Sequence, residues 1–132
     1  LVDYQRMTFE MNAKTVAIIE DEPIIALELE SICMEAGLQV AGFAATASKA
    51  WEKFSDLRPD VVISDMELAD GSDGVEAVLR LRELRPDMVV IFVTAATTSD
   101  TLGRIAKSKP DHVLNKPFDV AELRKALAET VS

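Results

Sequence analysis

One cysteine, one histidine, one tryptophan and one tyrosine occur among the 132 residues. A lone Cys33 cannot close an internal disulfide, so a hydrophobic core rather than cross-links must hold the chain, and a reducing cytoplasm is the expected setting. No apolar run approaches the roughly 20 residues that span a bilayer, and no signal peptide is visible, so no membrane contact is expected. Basic residues are the minority, 14 Lys and Arg against 23 Asp and Glu, for a formal net charge of −9. Phosphate backbones need a positive surface, so direct nucleic-acid binding is not expected. Internal repeats and low-complexity tracts are absent. Gly71 and Gly74 are followed by no Lys-Ser/Thr pair, which excludes a Walker-type phosphate loop.

What is present suffices for a core: 48% of residues are hydrophobic and 28% charged, the balance of an ordinary globular chain. The sequence starts at Leu1, with Met7 and Met11 a little further in. Residues 1–14 read as an N-terminal extension or cloning remnant and residues 15–132 as one domain.

From Thr15 onward, short β-branched runs alternate with amphipathic stretches. The runs are Val16-Ala17-Ile18-Ile19, Gln39-Val40-Ala41-Gly42-Phe43, Val61-Val62-Ile63, Val89-Val90-Ile91-Phe92-Val93 and His112-Val113-Leu114. Near-continuous apolar character marks strands covered on both faces. Between them, Ile25, Leu29, Ile32, Cys33 and Ala36 fall on one face of a 3.6-residue period, with Pro23 suited to the first turn and Gly37 to the end. Ala47, Ala50, Phe54 and Leu57 repeat the stripe, as do Val75, Val78 and Leu79. Leu102, Ile105 and Ala106 form a short fourth helix; Val120, Leu123 and Leu127 form a fifth, with Asp119 as N-cap. Trp51 should cover apolar surface on the second helix. Five such units imply an α/β fold: one doubly wound, five-stranded parallel sheet of flavodoxin-like order 2-1-3-4-5 with five helices.

In such sheets ligands bind at the carboxyl ends of the strands. There the sequence places Glu20-Asp21, Asp65, Thr94 and Asn115-Lys116-Pro117. Singly, each has an ordinary explanation: an acid after a strand caps a helix or makes a turn, and a Thr or Lys there is commonplace. Together they make a chemical set. Clustered carboxylates repel unless a cation sits among them, and an all-oxygen site suits Mg²⁺. Asp65 can act as an oxygen nucleophile toward phosphorus, Lys116 supplies a point charge and Thr94 a hydroxyl.

The segments Val16 to Pro23 (VAIIEDEP), Val61 to Asp65 (VVISD), Thr94-Ala95 and Lys116-Pro117-Phe118 together resemble the receiver domains of two-component response regulators, related to the chemotaxis regulator. The resemblance runs from about Thr15 to Val131. It implies that Asp65 accepts a phosphoryl group from a sensor histidine kinase or histidine phosphotransfer protein. It further implies Mg²⁺ bound by Asp21 and Asp65 directly, by Glu20 through water and by the Glu67 backbone carbonyl. Thr94 and Lys116 would contact the phosphoryl group and report it to the face formed by the fourth helix, fifth strand and fifth helix, where a downstream protein or output domain binds. The surface around Leu102, Ile105, Val113 and the fifth helix is the expected recognition surface. The expected protein is a cytoplasmic signalling phosphoacceptor, not a conventional enzyme.

The sequence departs from the family pattern in three places. The loop after Asp65 lacks the usual proline at Ala69 and is longer by one residue, similar to loops of some alphaproteobacterial receivers. Asp70-Gly71 and Asp73-Gly74 should still close it. Val113 stands where many receivers carry Tyr or Phe, so rotation of an aromatic ring cannot be the output signal; the neighbouring His112 reads as a strand-edge residue. Glu67 and Ala96 flank the expected path of the hydrolytic water, and only Glu67 can orient one. The four threonines between Thr94 and Thr101 suggest a loop before the short fourth helix. Two other functions compete. A haloacid-dehalogenase-like phosphohydrolase would need a second Asp where Glu67 stands; a pseudo-receiver would keep the fold without the chemistry.

Overall fold

The computed structural model describes residues 13–131; the proposed extension lies almost entirely outside the described residues. The strands are β1 (Thr15–Ile19), β2 (Gln39–Ala44), β3 (Val61–Ser64), β4 (Val89–Thr94) and β5 (His112–Asn115). The helices are α1 (Pro23–Glu35), α2 (Ala47–Phe54), α3 (Gly74–Leu84), α4 (Ser99–Lys107) and α5 (Val120–Val131). All paired strands are parallel, as the βα alternation implies, and their order is the expected β2-β1-β3-β4-β5.

Alternate strand residues feed two cores. Ala17, Ile19, Val62, Val90 and Phe92 pack with α2, α3 and Ile105 of α4. Val16, Ile18, Val61, Ile63, Ile91 and Val93 pack with residues of α1 and α5. Both cores bury their side chains almost completely, so the strands read as continuous apolar runs rather than alternating ones. A bulge between Val16 and Ala17 places Gly42 at φ +143°, a conformation that L side chains rarely adopt.

Local signals set the helix ends. Pro23 opens α1. At its end Gly37 takes φ +87°, while the N–H groups of Leu38 and Gly37 bond to the carbonyls of Cys33 and Met34, closing a Schellman motif. Thr46, Asp73 and Thr98 cap α2, α3 and α4 through their side chains, and Asp119 accepts from the Ala121 N–H at 2.8 Å beside the first turn of α5. The loop expected between Thr94 and Thr101 is therefore short: residues 95–98 connect β4 to α4, Thr98 serves as the cap and Thr101 lies inside the helix. Lys14 is already joined to the domain: its carbonyl accepts from Gln39 and its ammonium donates to the Thr130 carbonyl at 2.8 Å.

The apolar stripes extend further in sequence than in space. Leu57 lies beyond the end of α2 and is exposed, as are Leu79, Leu102 and Ala106. Trp51 is half-buried against the first core, and the Arg80 guanidinium sits 4.5 Å from its ring centroid, joining α2 to α3.

Candidate functional site

The parallel sheet brings the ends of β1, β3, β4 and β5 to one rim. They border an open cleft of about 530 Å³ lined by Asp21, Glu22, Asp65, Glu67, Thr94 and Lys116, with Ile25, Ala95, Ala96 and Pro117. Glu20 follows β1 and is only 4% exposed, Asp65 follows β3 at 8%, and Thr94 ends β4 at 1%. The backbone fixes these positions: Asp65 N–H donates to the Ile19 carbonyl and Lys116 N–H to that of Thr94, both at 2.9 Å.

Lys116 is the hub. Its ammonium lies 2.8 Å from Asp65 Oδ2, 3.1 Å from Glu20 Oε1 and 3.0 Å from Glu22 Oε2. Burial alone would favour the neutral amine, but hydrogen bonds to Asp65, Glu20 and Glu22 outweigh it and hold the lysine pKa above its ordinary value. Lys116 is a cation at neutral pH. Burial raises the Glu20 carboxyl above the usual carboxylate value; the Lys116 hydrogen bond opposes that shift and the nearby Asp65 charge adds to it.

One oxygen from each of Glu20, Asp21 and Asp65 lies within 4.8 Å of the others. Glu20 Oε2 is buried and lacks a hydrogen bond among the described residues, although Lys116 Nζ stands 3.0 Å away in poor alignment. Three converging carboxylates, one with a spare buried oxygen, fit a small oxygen-seeking cation such as Mg²⁺. The Met66 N–H donates to Asp65 Oδ1 at 2.6 Å, which leaves Oδ2 to face Lys116.

The β3–α3 loop closes without a proline. Glu67 and Asp73 form an isolated antiparallel bridge, Leu68 N–H donates to the Ser72 carbonyl at 3.2 Å, and Gly71 takes φ +81°. Glu67 is exposed at the cleft edge. Ala96 N–H donates to Thr94 Oγ1 at 3.2 Å. Val113 is 43% exposed, so the aliphatic residue in the aromatic's place faces outward. His112 Nε2 lies 3.3 Å from Glu129 of α5, a strand-edge contact away from the rim.

Two residues of the site carry no plain signal in the sequence. Glu22 reads as the acid before Pro23, and its lysine partner lies 94 positions away. Gly74 reads as half of a turn pair, yet a Cβ there would stand 2.0 Å from the Asp65 carbonyl oxygen and 2.6 Å from Ser64 Oγ. The start of α3 therefore presses directly on the backbone of Asp65, and only glycine permits that approach.

A doubly wound sheet with this rim is the architecture of a signalling receiver. The sequence profile of the response regulator receiver domain matches residues 16–128, and the chain belongs to that family of two-component signalling proteins. It is 34% identical over 120 residues to the phyllosphere-induced regulator PhyR of Methylorubrum extorquens, covering 90% of this chain and 44% of PhyR. The solution structure of the receiver domain of Erythrobacter litoralis PhyR is 35% identical, with a TM-score of 0.80 and 91% of each chain covered. A crystal structure described as the anti-anti-sigma factor PhyR of Bartonella quintana is 29% identical, with a TM-score of 0.75, covering 96% of this chain and 52% of that one. This chain thus spans about half the length of the full PhyR proteins it resembles.

Proposed function

We propose that this domain is a phosphorylation-controlled receiver in which Asp65 accepts a phosphoryl group from a phosphohistidine of a sensor kinase or phosphotransfer protein. The observation that carries this reading is the contact of Asp65 Oδ2 with Lys116 Nζ, 2.8 Å, inside a trio of carboxylates at the strand ends. An oxygen of the Asp65 carboxylate forms the new P–O bond while the P–N bond of the donor breaks and the imidazole leaves with its electron pair. Lys116 is placed to meet charge on a phosphoryl oxygen, and Thr94 to donate its hydroxyl. Asp21 and Asp65 would hold Mg²⁺ directly, with Glu20 through water and the Glu67 carbonyl completing the protein ligands. The ion, when bound, supplies neutralisation of the charge on the transferring phosphoryl group.

The output is a change in protein binding. A net charge of −9 disfavours nucleic acid as a direct partner of this domain. The likeness to PhyR receivers supports a protein partner or a linked output domain at the face of α4, β5 and α5. With Val113 in the aromatic position, the signal travels through Thr94 and α4 rather than through a rotating ring.

Intact mass after incubation with acetyl phosphate tests the chemistry, with and without Mg²⁺ and beside Asp65→Ala. A single Mg²⁺-dependent phosphoryl adduct, absent from the variant, is expected. No adduct with acetyl phosphate or with a phosphohistidine donor would replace this reading by that of a pseudo-receiver acting through binding alone.

A further inference from the structure

We infer that Glu22 is a positioning residue for Lys116, the carboxylate that keeps the ammonium in the cleft when Asp65 and Glu20 turn to a cation. The inference rests on the receiver reading above and concerns a residue to which that reading gives no role. An ammonium has three N–H donors, and here all three face carboxylates: Asp65, Glu20 and Glu22, at 2.8, 3.1 and 3.0 Å. Two of those partners belong to the converging trio of Glu20, Asp21 and Asp65. Glu22 stands outside it.

The local backbone supports the assignment. Glu22 occupies the N-cap position of α1 with extended dihedrals, φ −93° and ψ 109°, yet its side chain makes no capping hydrogen bond. Short side chains such as Ser, Thr, Asp and Asn turn back from that position to the free N–H groups of the first turn; glutamate is not among them, and its longer carboxylate is left to find another partner. Here it reaches across the rim to β5 instead. Its own N–H donates to Glu20 Oε1 at 3.2 Å, so the two glutamates are held in register.

The consequence follows from charge. A lysine seated on Glu20 and Asp65 shares the carboxylates that a divalent cation needs, and like charges exclude one another. Cation entry requires Lys116 to give up those contacts. Glu22 offers a second seat beside Asp65, so the lysine yields the carboxylates without leaving the place where it would meet a phosphoryl oxygen. Without Glu22, the ammonium either opposes the cation or swings into solvent.

The test is calorimetric titration of the full chain with Mg²⁺, comparing wild type, Glu22→Gln, Lys116→Met and the double variant, with thermal melts to show that each is folded. Glu22→Gln should weaken Mg²⁺ binding on the order of three- to tenfold, part of which is simple loss of a nearby negative charge. In the Lys116→Met background the same substitution should weaken it by a factor at least about twofold smaller, because the lysine-dependent part has gone. Lys116→Gln serves where Lys116→Met does not fold. Equal factors in both backgrounds would overturn the inference and reduce Glu22 to a contribution of field alone. If the wild type itself binds no Mg²⁺, the receiver chemistry falls and this inference with it. Mg²⁺ binding and an Asp65 adduct in the wild type, together with additive substitutions, overturn the inference alone.

Discussion

Helices α3 and α4 follow neighbouring strands and cover the same face of the sheet, but they are fastened differently. α3 buries Gly74, Val75, Ala77, Val78 and Leu81. α4, nine residues long, buries only Ile105. A fully buried aliphatic side chain contributes roughly 1.5–3 kcal/mol, so α3 rests on several such contributions and α4 on one. What holds α4 otherwise is polar. Arg104 grips Asp73 with Nε–Oδ2 at 3.0 Å and Nη2–Oδ1 at 3.2 Å, and Arg82 of α3 donates to the Ser108 carbonyl just past the end of α4. A helix held by one apolar side chain and a few surface contacts shifts or opens at low cost, whereas α3 stays with the core. Asp65, the proposed phosphoacceptor, thus has a rigid neighbour and a yielding one, and the yielding one borders the proposed recognition surface.

The sharpest way to break this comparison is Gly74→Ala. The new Cβ would fall 2.0 Å from the Asp65 carbonyl oxygen, a backbone atom with no freedom to rotate away. Either α3 lifts from the rim or the Asp65 backbone moves, and overpacking of this kind costs about 3 kcal/mol. Urea unfolding should show that loss, and the fraction of Asp65 that accepts phosphate should fall with it. A change within about 0.5 kcal/mol would mean that α3 does not press on Asp65.

Asp73 allows an intermediate test because it serves both helices. It caps α3 by accepting from the Glu76 N–H at 2.8 Å and it pairs with Arg104 of α4. Asp73→Ala should cost about 1.5 kcal/mol, roughly 1 for the cap and the rest for the ion pair. Arg104→Ala removes only the pair, half of whose arginine is exposed, and should cost about 0.5 kcal/mol. Amide exchange separates the two effects. Both variants should speed exchange in α4, and only Asp73→Ala should also speed it in the first turn of α3. Unchanged α4 exchange in Arg104→Ala would show that the pair does not fasten that helix.

The same contrast explains what the sequence made legible. Strands covered on both faces announce themselves as apolar runs, and parallel pairing follows from βα alternation; the strand order was expected from the commonest five-stranded doubly wound arrangement. The rim acids, Thr94 and Lys116 were readable because strand ends map to one edge of the sheet. The depth of each helix was not. Leu57, Leu79, Leu102 and Ala106 match a helical period, but periodicity does not tell how closely a helix approaches the sheet. That approach is set by packing of small residues such as Gly74 and Ala77, whose contacts lie on other elements. Glu22 carried no such signal, since its partner is 94 positions distant.

Gly103→Ala has the smallest expected effect and the opposite sign. Gly103 lies inside α4, and a Cβ there would meet nothing within 4 Å among the described residues. Alanine in a helix interior is favoured over glycine by roughly 0.8–1 kcal/mol, mostly through the entropy of the unfolded chain. The variant should therefore melt slightly higher, while α4 exchanges more slowly and α3 is unaffected. Glycine at this point keeps α4 marginal beyond what its single buried isoleucine already dictates. If α4 transmits the state of Asp65, Gly103→Ala should accept phosphate at the wild-type level yet show a weaker change in α4 exchange on phosphorylation. An equal or larger change would place the transmitted motion outside this helix.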